Sequence, residues 1–257
     1  MKNLRCRFFL LLLLLGIGTA GAAASAEESL FDPKAEAILQ RMSDFLAQAK
    51  SFSFKAYSLY DATEDSGIKI KRAIFQDVTV RRPDRLRFHS SLDDGTQRDA
   101  WYDGSHLIIV PKDQKKFAEI NVPNTLDGML DEILDNYPIN VPLADLLYSN
   151  VYKTAKENLI SAVYLGERNI DGDILDHLSF ESTGADWQIW VEHGDRPVPR
   201  RMVIDFVNVP GEPEYMTILQ DWHFGQDVGD DTFQFTPPKD WKRFEIAKSP
   251  PASPPPK

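Results

Sequence analysis

The sequence predicts an α+β fold: one amphipathic helix, then a long antiparallel sheet interrupted near its middle by a helical stretch. Three observations carry this. Apolar residues recur at helical spacing before residue 50, and from Phe52 the period switches to two with short turn-forming joints. The alternation then lapses between residues 122 and 150 and resumes to about residue 225.

The chain opens with Lys2, Arg5 and Arg7, an apolar run from Phe8, and small residues ending at Ala24, Ser25 and Ala26. That order is the secretory leader, with an apolar run too short to prefer spanning a bilayer. Cleavage after Ala26 is expected, so residues 1–26 are signal, 27–248 a single domain and 249–257 a proline-rich tail. The only cysteine, Cys6, precedes the apolar run instead of standing at the cut, so no lipid anchor is expected on the mature chain. Disulfides, metal thiolates and cysteine nucleophiles are excluded with it. The formal charge is −10. Removing the leader takes out three bases and no acid, which argues against nucleic acid and anionic membrane surfaces as partners.

From Asp32 to Ala49, Ile38, Leu39, Met42, Phe45, Leu46 and Ala49 form one stripe, with Asp32 placed as N-cap and Pro33 at the first helical position. The strands "SFSFKAYSLY", "IKIKRAIFQDVTV", "RLRFHSS", "QRDAWYDG", "HLIIV" and "KFAEI" follow, joined by turns such as "SLDDG" and "YDGS". Leu126, Met129, Leu130, Ile133, Leu134 and Tyr137 mark a middle helix, and Leu143 to Tyr148 a second short one. Five strands then run from "SAVYLGERNI" to "EYMTILQDWHFG". The end, "SPPASPPPK", cannot pack a core and reads as disordered or polyproline II chain.

One hairpin, Asp186 to Phe206, is unusually rich in apolar bulk. Strand alternation puts Trp187, Ile189 and Val191 on one face with Met202, Ile204 and Phe206. Such a dry face must be covered by core, partner or ligand. No hydrolase elbow, zinc helix, phosphate loop or dinucleotide fingerprint occurs, so no catalytic residue and no cofactor is expected. The five histidines have no mutual spacing that suggests a metal site. The acidic groups "IDGDILD" and "DVGDD" lack calcium-loop spacing and read as turns. Arg85, Arg87 and His89 alternate with Leu86 and Phe88, which puts the cations on an outer strand face, paired with neighbouring acids.

The succession "VRRPDRLRF", "AWYDGSHLIIVPKDQKKFAEI", "DWQIWVEHGDRPVPRRMVIDF" and "DTFQFTPP" resembles predicted periplasmic proteins of unknown function, which are similar to the LolA-like and LolB-like lipoprotein carriers. The resemblance runs from about Asp32 to Pro238. It implies a strongly curved antiparallel sheet forming an incompletely closed barrel, with the N-terminal and mid-chain helices covering the open side. It further implies a monomeric periplasmic carrier that holds a lipid or an acylated lipoprotein. The expected ligand-binding residues are Phe54, Leu86, Phe88, Trp187, Ile189, Val191, Met202, Ile204 and Phe206. The alternative is a sensor or assembly module of the same fold that binds an envelope protein partner.

Overall fold

The structure is a computed structural model describing residues 30–64, 66–141 and 143–250. The expected leader, its cleavage point and the final seven residues of the tail lie outside the described residues.

Helix α1 spans Pro33–Gln48, and the Asp32 carboxylate accepts the Lys34 backbone N–H at 2.8 Å as its cap. Its stripe is buried through Ile38, Leu39, Met42 and Leu46. Strands β1 (Ser51–Thr63), β2 (Lys69–Arg81), β3 (Arg85–Leu92), β4 (Gln97–Tyr102), β5 (His106–Pro111) and β6 (Lys116–Asn121) form a meander. Helix α2 (Leu126–Asn136), a 3-10 helix at Ala144–Leu147 and helix α3 (Val151–Lys156) come next. A second meander follows: β7 (Leu159–Ile170), β8 (Asp173–Ser182), β9 (Ala185–Glu192), β10 (Pro199–Asp205) and β11 (Glu214–Phe224). A short strand, β12 (Lys242–Arg243), is the last element.

All twelve strands join one open sheet in the order β12-β6-β5-β4-β3-β2-β1-β11-β10-β9-β8-β7. Every pairing is antiparallel except β12 on β6. The two meanders meet where β1 pairs with β11, near the centre of the sheet. The helical stretch between β6 and β7 must therefore carry the chain from one end of the sheet towards the other. It crosses the inner face and covers it.

The inner face is the one alternation predicts. Phe52, Phe54, Ala56 and Ser58 of β1 are buried on it, as are Val78 and Val80 of β2. In the hairpin of β9 and β10, Ile189 faces Met202 and Trp187 faces Ile204. The outward cations of β3 behave as charge pairing requires: Arg87 and His89 both approach Asp99 at 2.8 Å, and Lys112 does so at 3.0 Å. The Asp99 side chain is only 3% exposed. Burial pushes its carboxyl up, and hydrogen bonds from Arg87, His89 and Lys112 outweigh that, leaving it below the ordinary range.

Candidate functional site: an apolar cavity between sheet and helices

The inner face is closed in two different ways. At the β7–β9 side, α1 packs directly on β7 and β8. Phe45 of α1 meets Phe224 of β11 edge-on at 5.0 Å, and Phe54 stacks on Trp222 at 4.5 Å. Phe180 stacks on Trp187 at 4.1 Å, and the Trp187 indole N–H donates to Ser182 at 2.9 Å. This half is solid core. Across the other half, α2 and residues 138–141 and 143–145 stand over the sheet and leave a cavity of about 870 Å³.

The cavity floor comes from the sheet: Leu86 and Phe88 of β3, Leu107 and Ile109 of β5, Ile204 of β10 with Phe206 just beyond it, and Tyr215 of β11. Its cover comes from Met129, Leu130, Ile133 and Leu134 of α2, with Val141, Leu143 and Ala144. Phe244 and Ile246, from the segment after β11, complete the wall. Helix α2 is pinned in place at its start. Thr125 caps it by accepting the Gly128 N–H at 3.1 Å, Leu126 N–H donates to the Pro83 carbonyl at 2.8 Å, and the Tyr102 hydroxyl donates to the Pro123 carbonyl at 2.6 Å. A Cβ on Gly128 would stand 2.9 Å from the Pro123 Cβ, so glycine permits this close approach.

Among the expected ligand residues, Leu86, Phe88, Ile204 and Phe206 come together on the cavity wall. Phe54, Trp187, Ile189, Val191 and Met202 belong to the packed core away from it. Alternation places each of them on one face of its own strand or hairpin. It carries no information about which part of that face a helix fills.

Polar groups are few and mostly satisfied. Asp61 at the cavity edge accepts the Glu214 N–H at 2.9 Å and pairs with Lys69 at 2.9 Å and Lys71 at 3.1 Å. The Glu214 N–H, then the two lysines, outweigh burial and hold its carboxyl down at about 2. Beneath the floor, the Tyr215 hydroxyl donates to Ser58 at 2.7 Å, and Ser58 lies 2.9 Å from Thr217. Burial raises the Tyr215 hydroxyl to about 12, so it stays a neutral donor. The neighbouring Gln76 amide nitrogen is buried with no partner among the described residues. Two cavity residues carry charges with no hydrogen bond or ion pair among the described residues, Arg98 and Asp145.

Away from the cavity, Glu167, Asp176 and His193 bring their ligand atoms within 4.8 Å of one another, an arrangement that could hold a cation. The sequence hid it because the three residues come from β7, β8 and the turn after β9. Asp176 is already engaged there by the Tyr164 hydroxyl at 3.0 Å, by His193 at 3.1 Å and by Arg41 at 3.5 Å. With its charge and lone pairs met in this way, the cluster reads as a structural knot between hairpin and α1.

Asp145, Phe244 and Ile246 were not foreseen as cavity residues. The spacing from Leu143 to Tyr148 marked a short helix without indicating which of its residues escapes burial. Nothing in the sequence around Phe244 and Ile246 shows regular periodicity.

The architecture is an open, almost entirely antiparallel twelve-stranded sheet with helices standing over an apolar cavity. The chain belongs to the family of predicted periplasmic proteins DUF2092, whose pattern matches residues 35–247. Comparison with curated proteins gives no match. Solved structures are similar to the chain at low identity. An uncharacterized conserved protein from Thermus thermophilus is 11% identical, with a TM-score of 0.46 over 82% of this chain and 99% of that one. Lipoprotein LppX from Mycobacterium tuberculosis is 16% identical, with a TM-score of 0.46 over 77% and 100%. A LolA superfamily protein from Nitrosomonas europaea is 13% identical, with a TM-score of 0.38 over 78% and 97%.

Proposed function

We propose that this protein is an exported, monomeric, non-catalytic binding protein of the periplasm that holds a lipid, or the acyl part of a lipoprotein, in the cavity beneath α2. The observation that carries the reading is the cavity itself: about 870 Å³, walled by aliphatic and aromatic side chains. Its size suits a small apolar ligand, for which pockets of roughly 300–1,000 Å³ are usual. About ten methylenes buried at ~0.8 kcal/mol each supply ~8 kcal/mol gross. Ordering and association costs reduce this to a modest, reversible affinity suited to transfer. The leader is cut after Ala26, residues 27–248 act as one domain, and Leu86, Phe88, Ile204 and Phe206 touch the cargo.

Native mass spectrometry of the exported protein, followed by lipid extraction, tests the reading. The expected spectrum shows a chain beginning at or near Glu27 with a lipid-sized adduct. A retained Met1 or a covalent lipid mass overturns the soluble form. Absence of any adduct together with no uptake of a fluorescent fatty acid overturns the carrier.

A second reading, a sensor or assembly module that binds an envelope protein, draws on the apolar side chains Ile160, Val163 and Leu165 of β7, which stand exposed where a protein partner would cover them. A stable protein complex with an empty cavity favours that reading over the first.

A further inference from the structure

Among the acids that border the cavity, Asp145 differs from the rest in having no counter-charge. Asp61 is held by Lys69 and Lys71, Glu214 by Lys71, and Asp99 by Arg87, His89 and Lys112. Asp145 has no hydrogen bond or ion pair among the described residues. Its neighbours in the 3-10 segment, Leu143, Ala144, Leu146 and Leu147, are all buried, whereas Asp145 is exposed and borders the cavity. Solvent reaches it, yet the dense apolar surroundings push its carboxyl above the ordinary range. A carboxylate is only an acceptor, so at the edge of an apolar cavity it favours a ligand whose polar end is a donor. A cation meets it with a charge-assisted hydrogen bond, a hydroxyl does so more weakly, and an anion is repelled.

We propose that Asp145 is a headgroup subsite that takes a primary ammonium carried by the apolar ligand. The proposal rests on the cavity being the lipid site and adds the chemistry of the cargo's polar end. Two kinds of ligand carry that group: a simple long-chain amine and a zwitterionic aminophospholipid. Arg98, exposed on the same cavity and also without a partner among the described residues, has the charge to receive the phosphate of the second.

The test displaces the uncharged fluorophore N-phenyl-1-naphthylamine from the mature chain with hexadecylamine, hexadecanol or hexadecanoate at neutral pH. The amine is expected to bind about tenfold more tightly than the alcohol, and the acid more weakly than both. Asp145→Asn should remove the amine preference and leave hexadecanol affinity unchanged, while Asp145→Glu should retain the preference. Equal affinity for amine and alcohol in the wild type, or a preference that survives Asp145→Asn, overturns the proposal while leaving the cavity reading intact. If neither fluorophore nor any of the three compounds binds, both fail. Short-chain ethanolamine and glycerol phospholipids then separate the sources. Weaker binding of the ethanolamine lipid in Arg98→Gln, with hexadecylamine binding unchanged, identifies the zwitterion, and ethanolamine-lipid binding indifferent to Arg98 identifies the amine alone.

Discussion

Asp61 shows how much a single carboxylate can hold at the rim of a cavity. Its side chain is 8% exposed and ties β1 to β2 through Lys69 and Lys71 and to β11 through the Glu214 N–H. Because its folded pKa, about 2, lies below the ordinary aspartate value, its contribution is fully present above about pH 4 and is lost as pH falls towards 2. Unscreened, the shift corresponds to about 2 kcal/mol. Both lysines are 45% exposed, so solvent screening reduces this to about 1 kcal/mol. Asp61→Asn is expected to cost that amount at pH 7 and to flatten the loss of stability between pH 4 and pH 2. Urea unfolding of both proteins across that range checks it, and parallel curves would show that Asp61 contributes nothing through its charge.

At the scale of elements, the decisive one is α2, because it stands over the cavity instead of filling it. Its hold on the sheet is local: the Thr125 cap, the Leu126 bond to Pro83 and the Tyr102 hydroxyl on Pro123. Tyr102 is fully buried, and burial raises its hydroxyl to about 12, so the bond persists through the physiological range. Tyr102→Phe removes that donor with little change in shape and is expected to cost about 1 kcal/mol, as should Thr125→Ala through loss of the cap. Hydrogen exchange should quicken in α2 and leave the central pair β1 and β2 unchanged. Uniform quickening across the sheet would mean that α2 is part of the global core and no separate cover.

Most elements were legible in the sequence because each is long enough to show its period. The cap at Asp32, the apolar stripe of α1 and the alternation of eleven strands all lie in local pattern. Helix α3 was not legible, since six residues show less than two turns of periodicity, although Asn150 caps it by accepting the Lys153 N–H at 2.9 Å. Strand β12 exists because Lys242 and Arg243 lie against β6, a contact made by tertiary structure alone. The packing of Phe235 on Trp101 at 4.7 Å has the same character, joining the segment after β11 to the outer face of β4. For the site, the alternation that groups Leu86 with Phe88 and Ile204 with Phe206 was legible, and these four side chains line the cavity. Depth within the face depends on where α1 and α2 lie, which no strand encodes.

At the scale of the molecule, the division of one apolar face into solid core and open cavity leads to a paired prediction on a single hairpin. Ile189 and Ile204 are both isoleucines, on adjacent strands, facing inward. Ile189 is 1% exposed within the core and absent from the cavity wall, whereas Ile204 is partly exposed and lines it. Truncating a residue packed on all sides leaves a void and costs about 2–5 kcal/mol. A wall residue already lacks contacts on one side, so Ile204→Ala should cost distinctly less than Ile189→Ala. Enlargement should reverse the contrast. Ile189→Trp has nowhere to put its ring and should unfold or misfold, since overpacking strains its neighbours. Ile204→Trp can extend into the cavity, so it should fold, remain nearly as stable as the wild type and displace ligand. Urea unfolding and fluorescent fatty-acid binding on the four variants decide the matter. If Ile204→Ala loses as much stability as Ile189→Ala and Ile204→Trp also fails to fold, the space beneath α2 behaves as core and the carrier reading loses its site.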